Sequence, residues 1–204
     1  MRHQIKKLYA LCFFAGLVFY YGVERLYFFS LGYEASIIAL LPIASAIVTI
    51  SLDLPLGYIS DKLGRKRTLV FACLSLALSS LLYFLSSNLL AIIVASSLHA
   101  LFWVGVSGTF QALIYESLRD TKQTKHYNKI LGRAYSFLFI GMGLAILAAG
   151  FVADYFGFRT NFLLATCSAV CAFLLALSLK EPSRHYASSQ NWTNHVREAF
   201  GVVR

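Results

Sequence analysis

Few of the 204 residues are of types that do chemistry, and they fall into three groups. The first is a string of acids, glycines and a base: Asp53-Leu-Pro55-Leu-Gly57-Tyr-Ile-Ser-Asp61-Lys-Leu-Gly64-Arg65. On a helix, Asp61 lies one turn beyond Gly57 and two beyond Asp53, so the three share a face. Arg65 is the nearest partner for Asp61, and Glu116 can share it. The chemistry open to such a cluster is electrostatic: it can lock one arrangement of helices, or it can be a solvated loop of topology-setting charges. The second group is Glu24-Arg25, with Tyr20 and Tyr21 four residues earlier as aromatic walls. The third is His99 and Trp103, also four apart, with Gln111 further along. These two groups could line a cavity for a solute or an ion; alternatively Glu24 and Arg25 pair at an interface and His99 is a neutral packing residue. Asp53 is a further candidate for the cavity.

No constellation for covalent chemistry accompanies them. The chain has no GxxxxGK[ST], HExxH or GxSxG, so ATP turnover and hydrolysis are not expected. Cys12, Cys73, Cys167 and Cys171 lie in apolar stretches, with no CxxC pair and no histidine at zinc spacing. They read as small packing residues. The expected set is therefore no enzyme, no cofactor and no metal.

The elements that must position these groups follow from composition. Hydrophobic residues make up 58% of the chain and charged residues only 13%, about half the charged share of a soluble domain. The class is an integral membrane protein. Nucleic acid as a partner of the +9 net charge is set aside, because the cations sit in short groups between long uncharged stretches. Met1 to Val23 imitates a signal peptide, but its apolar part is long and lacks a small-x-small cleavage site, so it reads as a first membrane helix.

A helix crosses the hydrocarbon with about 20 apolar residues. Six stretches qualify, at about 8–29, 35–58, 68–85, 89–115, 131–153 and 162–179. Runs such as LLAIIVASSL do not alternate, which excludes a β-barrel. Sixteen of the 18 cations fall before span one, after span two, around the link from span four to five, or after span six; only Arg25 and Arg159 lie toward the other face. Lysine and arginine mark cytoplasmic loops, so both termini are expected in the cytoplasm and the protein in the plasma (inner) membrane.

An internal repeat sits in the loops. Gly57-Tyr-Ile-Ser-Asp61-Lys-Leu-Gly64 is echoed by Gly150-Phe-Val-Ala-Asp154-Tyr-Phe-Gly157, offset by 93 residues. The first copy ends span two and the second ends span five. Since the offset carries three spans onto three, the copies lie on opposite sides of the membrane, which is an inverted-topology repeat. The expected fold is an all-α membrane protein of six transmembrane helices in a 3+3 inverted repeat. Within span five, Gly141, Ala145, Ala149 and Ala153 recur every four residues as a smooth stripe. It can face another helix of the same bundle or a second bundle.

Gly57 to Arg67 resembles the signature loop between helices two and three of the major facilitator superfamily, and Asp53-Leu-Pro55-Leu-Gly57 is similar to the acid-x-Pro-x-Gly lead-in of many bacterial members. Tyr115-Glu116-Ser-Leu and Leu131-Gly132-Arg133-Ala134 also look like positions in those transporters. The resemblance covers the whole chain, but only as the amino-terminal half of the family's twelve-helix body. It implies that the charge cluster locks one conformation by touching a helix of the other half, and that spans one and four line a central cavity. It also implies that residues 1–180 form the six-helix bundle and 181–204 a cytoplasmic linker to a carboxy-terminal half that is missing here. Two departures weigh against drug export by proton antiport: span four has no internal arginine, and span five has glycines but no proline.

The functional expectation is one half of a secondary active transporter of a small solute, working by alternating access. Its partners would be the bilayer, a small-molecule substrate, a coupling proton or cation, and a carboxy-terminal six-helix half or a second copy. The competing readings are a half-size transporter acting as a dimer and a non-transporting scaffold or receptor of the same fold. After Lys180 the composition turns polar; Pro182 and the serines stop the helix, and His195 to Arg204 with Trp192 reads as a short interfacial helix.

Overall fold

The computed structural model describes residues 2–183; the linker beyond, including the expected interfacial helix from His195, lies outside the described residues. All regular elements among the described residues are helical. Span one comprises α1 (Arg2–Gly16), a 3₁₀ turn (Phe19–Gly22) and α2 (Glu24–Ser30); span two is α3 (Ala35–Leu63) and span three is α4 (Arg65–Leu85). Span four is divided into α5 (Leu89–Val106) and α6 (Thr109–Asp120), span five is α7 (Tyr127–Phe156) and span six is α8 (Phe158–Leu177). The six are long and apolar enough to cross a bilayer, and helices are demanded there because each satisfies its own backbone polar groups. Asn88 starts α5 by accepting the Ala91 N–H at 2.8 Å.

The helices outrun the apolar stretches at several ends. Hydropathy marks where hydrocarbon ends, whereas a helix continues into water as long as its residues allow. Thus α4 begins at Arg65 and α7 at Tyr127. The sequence reading treats spans one and four as continuous, and the structure corrects this: both are interrupted, span one at residues 17–18 and span four at Ser107 and Gly108. At each interruption an N–H turns back on a carbonyl two residues earlier, Val18 to Gly16 and Thr109 to Ser107, both at 2.7 Å. Span two, by contrast, runs unbroken through Pro42 and Pro55.

The repeat is visible in backbone and packing alike. Gly64 (φ 109°, ψ 148°) ends α3 and starts α4, and Gly157 (φ 83°, ψ 159°) ends α7 and starts α8. Both have a positive φ that side chains rarely adopt. The main packing pairs are exchanged by the 93-residue offset: span one packs on five as four packs on two, and span three packs on four as six packs on one. Spans three and six, equivalent to each other, pack together at the centre. The two interruptions are also equivalent under the offset, to within three residues.

Span five's stripe faces span one in the same bundle. Gly141, Ala145 and Ala149 are buried, a Cβ on Gly141 would strike the Phe13 carbonyl oxygen, and a Cβ on Gly22 would meet Ala149 Cβ at 3.4 Å. This decides between the two readings of the stripe. Cys12 and Cys73 are buried packing residues, while Cys167 and Cys171 face outward from α8, contrary to expectation.

Polar stitches mark the two ends. At the cation-rich end, Lys7 Nζ donates to the Ser178 carbonyl at 2.9 Å, Gln4 Nε2 to the Lys180 carbonyl at 3.1 Å, and the Lys66 N–H to Glu181 Oε1 at 3.2 Å. Glu181 thereby caps the start of α4, where unsatisfied N–H groups point out. At the other end, Arg159 Nη2 donates to Ser87 Oγ at 2.7 Å and Tyr33 OH to the Ser87 carbonyl at 2.8 Å. Spans two and five are the least enclosed: 11% of the apolar window of α3 and 22% of that of α7 is buried, against 56% for α4. Each leaves most of its apolar surface facing away from the bundle.

Candidate functional site

Two polar centres stand out, one near each end of the bundle. At the cation-rich end, Arg65 Nη2 meets Asp61 Oδ1 at 2.6 Å and Arg65 Nε meets Glu116 Oε1 at 3.2 Å. The structure therefore brings together the three charges singled out by sequence, from α3, α4 and α6. Arg65 Nη1 also donates to Ser60 Oγ at 3.2 Å, and Thr109 Oγ1 donates to the same oxygen at 3.0 Å. Ser60 and Thr109 are buried and were missed by the sequence reading. Ser60 had a signal, since it directly precedes Asp61 in the motif; Thr109 had none, since it opens the helix after an interruption of span four that only the structure shows. A guanidinium shared by two carboxylates is fixed in its plane, so this centre ties the ends of three helices.

The other candidates of that string are placed differently. Asp53 and Gly57 lie on the outward face of α3, both exposed. A Cβ on Gly57 would meet nothing within 4 Å, so no close helix approach is made there among the described residues; the tight turn is made by Gly64.

The second centre is a cavity of about 200 Å³ among spans one to four. Tyr20, Tyr21, Glu24, Arg25 and His99 all line it. They do so for a different reason from the one the spacing suggested. Tyr20 and Tyr21 are not on the same α-helical faces as Glu24 and Arg25, because Phe19–Gly22 is a 3₁₀ turn and Val23 (φ −133°) separates it from α2. The interruption of span one turns both tyrosines inward toward span four.

There, His99 Nδ1 is 2.9 Å from Tyr20 OH and Nε2 is 2.5 Å from Tyr21 OH. Trp103 Nε1 donates to His99 Nε2 at 3.1 Å and to Tyr21 OH at 3.2 Å. Since Nε2 accepts the indole N–H, the imidazole proton sits on Nδ1 and is directed at Tyr20 OH, an assignment made from donors and acceptors. His99 is thus a fully partnered, neutral group that holds span one to span four. Trp103 supports the network from an exposed position.

Span two and span three complete the wall. Tyr83 OH and Ser96 Oγ share a hydrogen bond of 2.7 Å, and Ser45 Oγ donates to the Ser96 carbonyl at 3.4 Å. Phe28, Ile38, Leu41 and Pro42 supply apolar surface, and Tyr20 stacks on Phe162 with ring centroids 5.2 Å apart. Glu24 and Arg25 form no ion pair or hydrogen bond with the described residues. Neighbours one apart on a helix do not face each other. Sequence reasoning missed Ser45, Tyr83 and Ser96, which single hydroxyls in apolar runs do not announce.

Gln111 stands apart from the cavity, in the first turn of α6, where its Nε2 donates to Tyr135 OH at 3.1 Å. Asp53 does not line the cavity either. Among the described residues no group of three metal-ligating side chains gathers.

Comparison with known proteins places this arrangement. A family model described as Major Facilitator Superfamily matches residues 8–203. An "Uncharacterized transporter" of Buchnera aphidicola subsp. Schizaphis graminum (strain Sg) is 22% identical over 133 residues, which cover 65% of this chain and 32% of that protein. The aligned chain therefore spans about a third of that relative's length. With a match over nearly its whole length, six membrane-crossing helices and the signature loop built around Arg65, the chain belongs to the Major Facilitator Superfamily.

Proposed function

We propose that this chain is the amino-terminal half of a secondary active transporter that moves a small solute by alternating access. It carries no enzymatic reaction. The observation that carries the reading is the cavity at the interrupted part of span one, where Glu24 and Arg25 stand inside a membrane-crossing segment with no hydrogen bond or short ion pair to the described residues. Ionisable groups at such positions are costly and mark solute or ion pathways, and sites at discontinuous helices between repeats are the usual construction of secondary transporters.

In this reading the cavity and the Arg65 cluster have separate tasks. Glu24, Arg25 and the His99 network meet the solute and a coupling proton or cation. Arg65, held by Asp61 and Glu116, latches the cation-rich end and releases when the bundles rock. The outward faces of α3 and α7 support a partner bundle, either a carboxy-terminal six-helix half or a second copy of this chain. Asp53 and Gly57 lie on that face of α3. Residues 1–180 are the bundle and 181–204 the link to the other half. The 16-to-2 division of cations supports a plasma (inner) membrane protein with both termini in the cytoplasm.

The test is solute accumulation, screened with a labelled metabolite library, in cells producing the protein against cells that lack it. Glu24→Gln and Arg25→Gln should abolish the accumulation at unchanged expression. Accumulation unaffected by both substitutions would take the cavity out of the pathway.

A further inference from the structure

The cavity also specifies what kind of solute it takes. Its neutral polar groups are already used within the protein. Tyr20 and Tyr21 bond His99 at 2.9 and 2.5 Å, Tyr83 bonds Ser96 at 2.7 Å, and Ser45 donates to the Ser96 carbonyl at 3.4 Å. A sugar or polyol entering here would lose part of its water bonds and find few free partners, and unmade hydrogen bonds in a partly enclosed site are costly. What remains without a hydrogen bond to the described residues is one carboxylate and one guanidinium, adjacent on α2 and both lining the cavity.

Their charges cancel, and His99 is neutral, so the lining as a whole carries no net charge. A solute with a single charge would satisfy one of the two and leave the other unpaired in a partly dehydrated site. A zwitterion satisfies both at once, its ammonium at Glu24 and its carboxylate at Arg25. The rest of the wall is aromatic or aliphatic: Phe28, Ile38, Leu41 and Pro42. The volume, about 200 Å³, lies below the ~300–1,000 Å³ of pockets for drug-sized ligands. Resting on the reading of this cavity as the solute site, we propose that its ligand is a small zwitterion with an apolar body, of the amino-acid kind.

The experiment is equilibrium binding to the purified chain in detergent, with probes that share one carbon skeleton. L-leucine carries both charges, 3-methylbutylamine only the cation and 4-methylpentanoate only the anion; L-methionine and L-phenylalanine are further zwitterions, and D-glucose is the uncharged polar control. At least one zwitterion should bind about tenfold or more tighter than its one-charge analogues and glucose. Glu24→Gln should weaken the zwitterion and the amine but not the acid, and Arg25→Gln the zwitterion and the acid but not the amine. That charge-matched pattern is not produced by misfolding, which would weaken all probes alike. An amine, acid or sugar that binds as tightly as every zwitterion and is sensitive to Glu24→Gln or Arg25→Gln overturns the zwitterion while leaving the cavity as a solute site. Absence of binding by all three zwitterions overturns the proposal. Zwitterion binding that survives both charge substitutions and also Ser45→Trp, which fills the space, overturns the proposal and removes the cavity reading with it.

Discussion

Replacing Gly16 by alanine is the sharpest test of how span one is held in its interrupted shape. Gly16 ends α1, directly before the interruption that turns Tyr20 and Tyr21 inward. A methyl built on it lands on the Leu138 carbonyl oxygen of α7, with the carbonyl carbon at 3.0 Å and Cα at 3.2 Å. These are backbone atoms, so no side chain can swing away. Carbon atoms pack best at about 3.5–4.0 Å, so α1 and α7 must separate locally by about 1 Å. Overpacking of this kind costs about 1–3 kcal/mol. Gly141→Ala, whose methyl would strike the Phe13 carbonyl oxygen, should behave alike. Gly143 and Gly150 are the controls: both are on α7, and a Cβ there meets nothing within 4 Å. Alanine at these two should gain about 0.5–1 kcal/mol by removing the conformational freedom of glycine. The assay is equilibrium unfolding in bicelles of the four variants beside the parent. Gly16→Ala as stable as Gly143→Ala would refute the close α1–α7 contact, and with it the account of why the tyrosines face span four.

The Arg65 cluster should behave as one unit. Asp61→Asn and Glu116→Gln share a guanidinium, so their combined effect on unfolding should fall short of the sum by about 0.5 kcal/mol or more in a double-mutant cycle, whereas strict additivity would mean two independent pairs. Topology is open to labelling: in a background with the four cysteines replaced, Ser36→Cys and Thr124→Cys, both at exposed positions, should react with an impermeant thiol reagent from opposite sides. Reaction of both from one side would break the six-span order.

The reasons why parts of this protein were legible from sequence are physical. Hydrocarbon is a harsh selector, so six apolar runs and the sparse cations between them announce spans directly. The repeat was legible because Gly64 and Gly157 must both adopt a backbone that side chains rarely adopt, and that need fixes residue type. The Arg65 cluster was legible because charges at a helix end need partners, and the partners were few. The interruptions of spans one and four were not legible. Neither contains proline, and the turn at residues 17–18 directly follows the point where α1 comes closest to α7 at Gly16, a tertiary contact that no local sequence signal announces. Treating span one as continuous therefore grouped Tyr20 and Tyr21 with Glu24 and Arg25 on a shared helix face that the structure does not have, although all four line one cavity. Gln111 and Asp53 were grouped with the cavity from their polarity alone, but depth and face along a span decide what meets. Ser45, Tyr83 and Ser96 became visible only when span two was seen packed on span four.

The proposed alternating access requires that the Glu24 cavity be reached in turn from the two sides of the membrane. Ser45 lines that cavity and is the place to read it. In the cysteine-replaced background, the measurement is the rate at which Ser45→Cys reacts with an impermeant thiol reagent supplied first outside and then inside, in membranes that hold the working assembly. Reaction from both sides, slowed by the transported solute, is the predicted result. Reaction from a single side only, unchanged by solute, would contradict alternating access at this cavity.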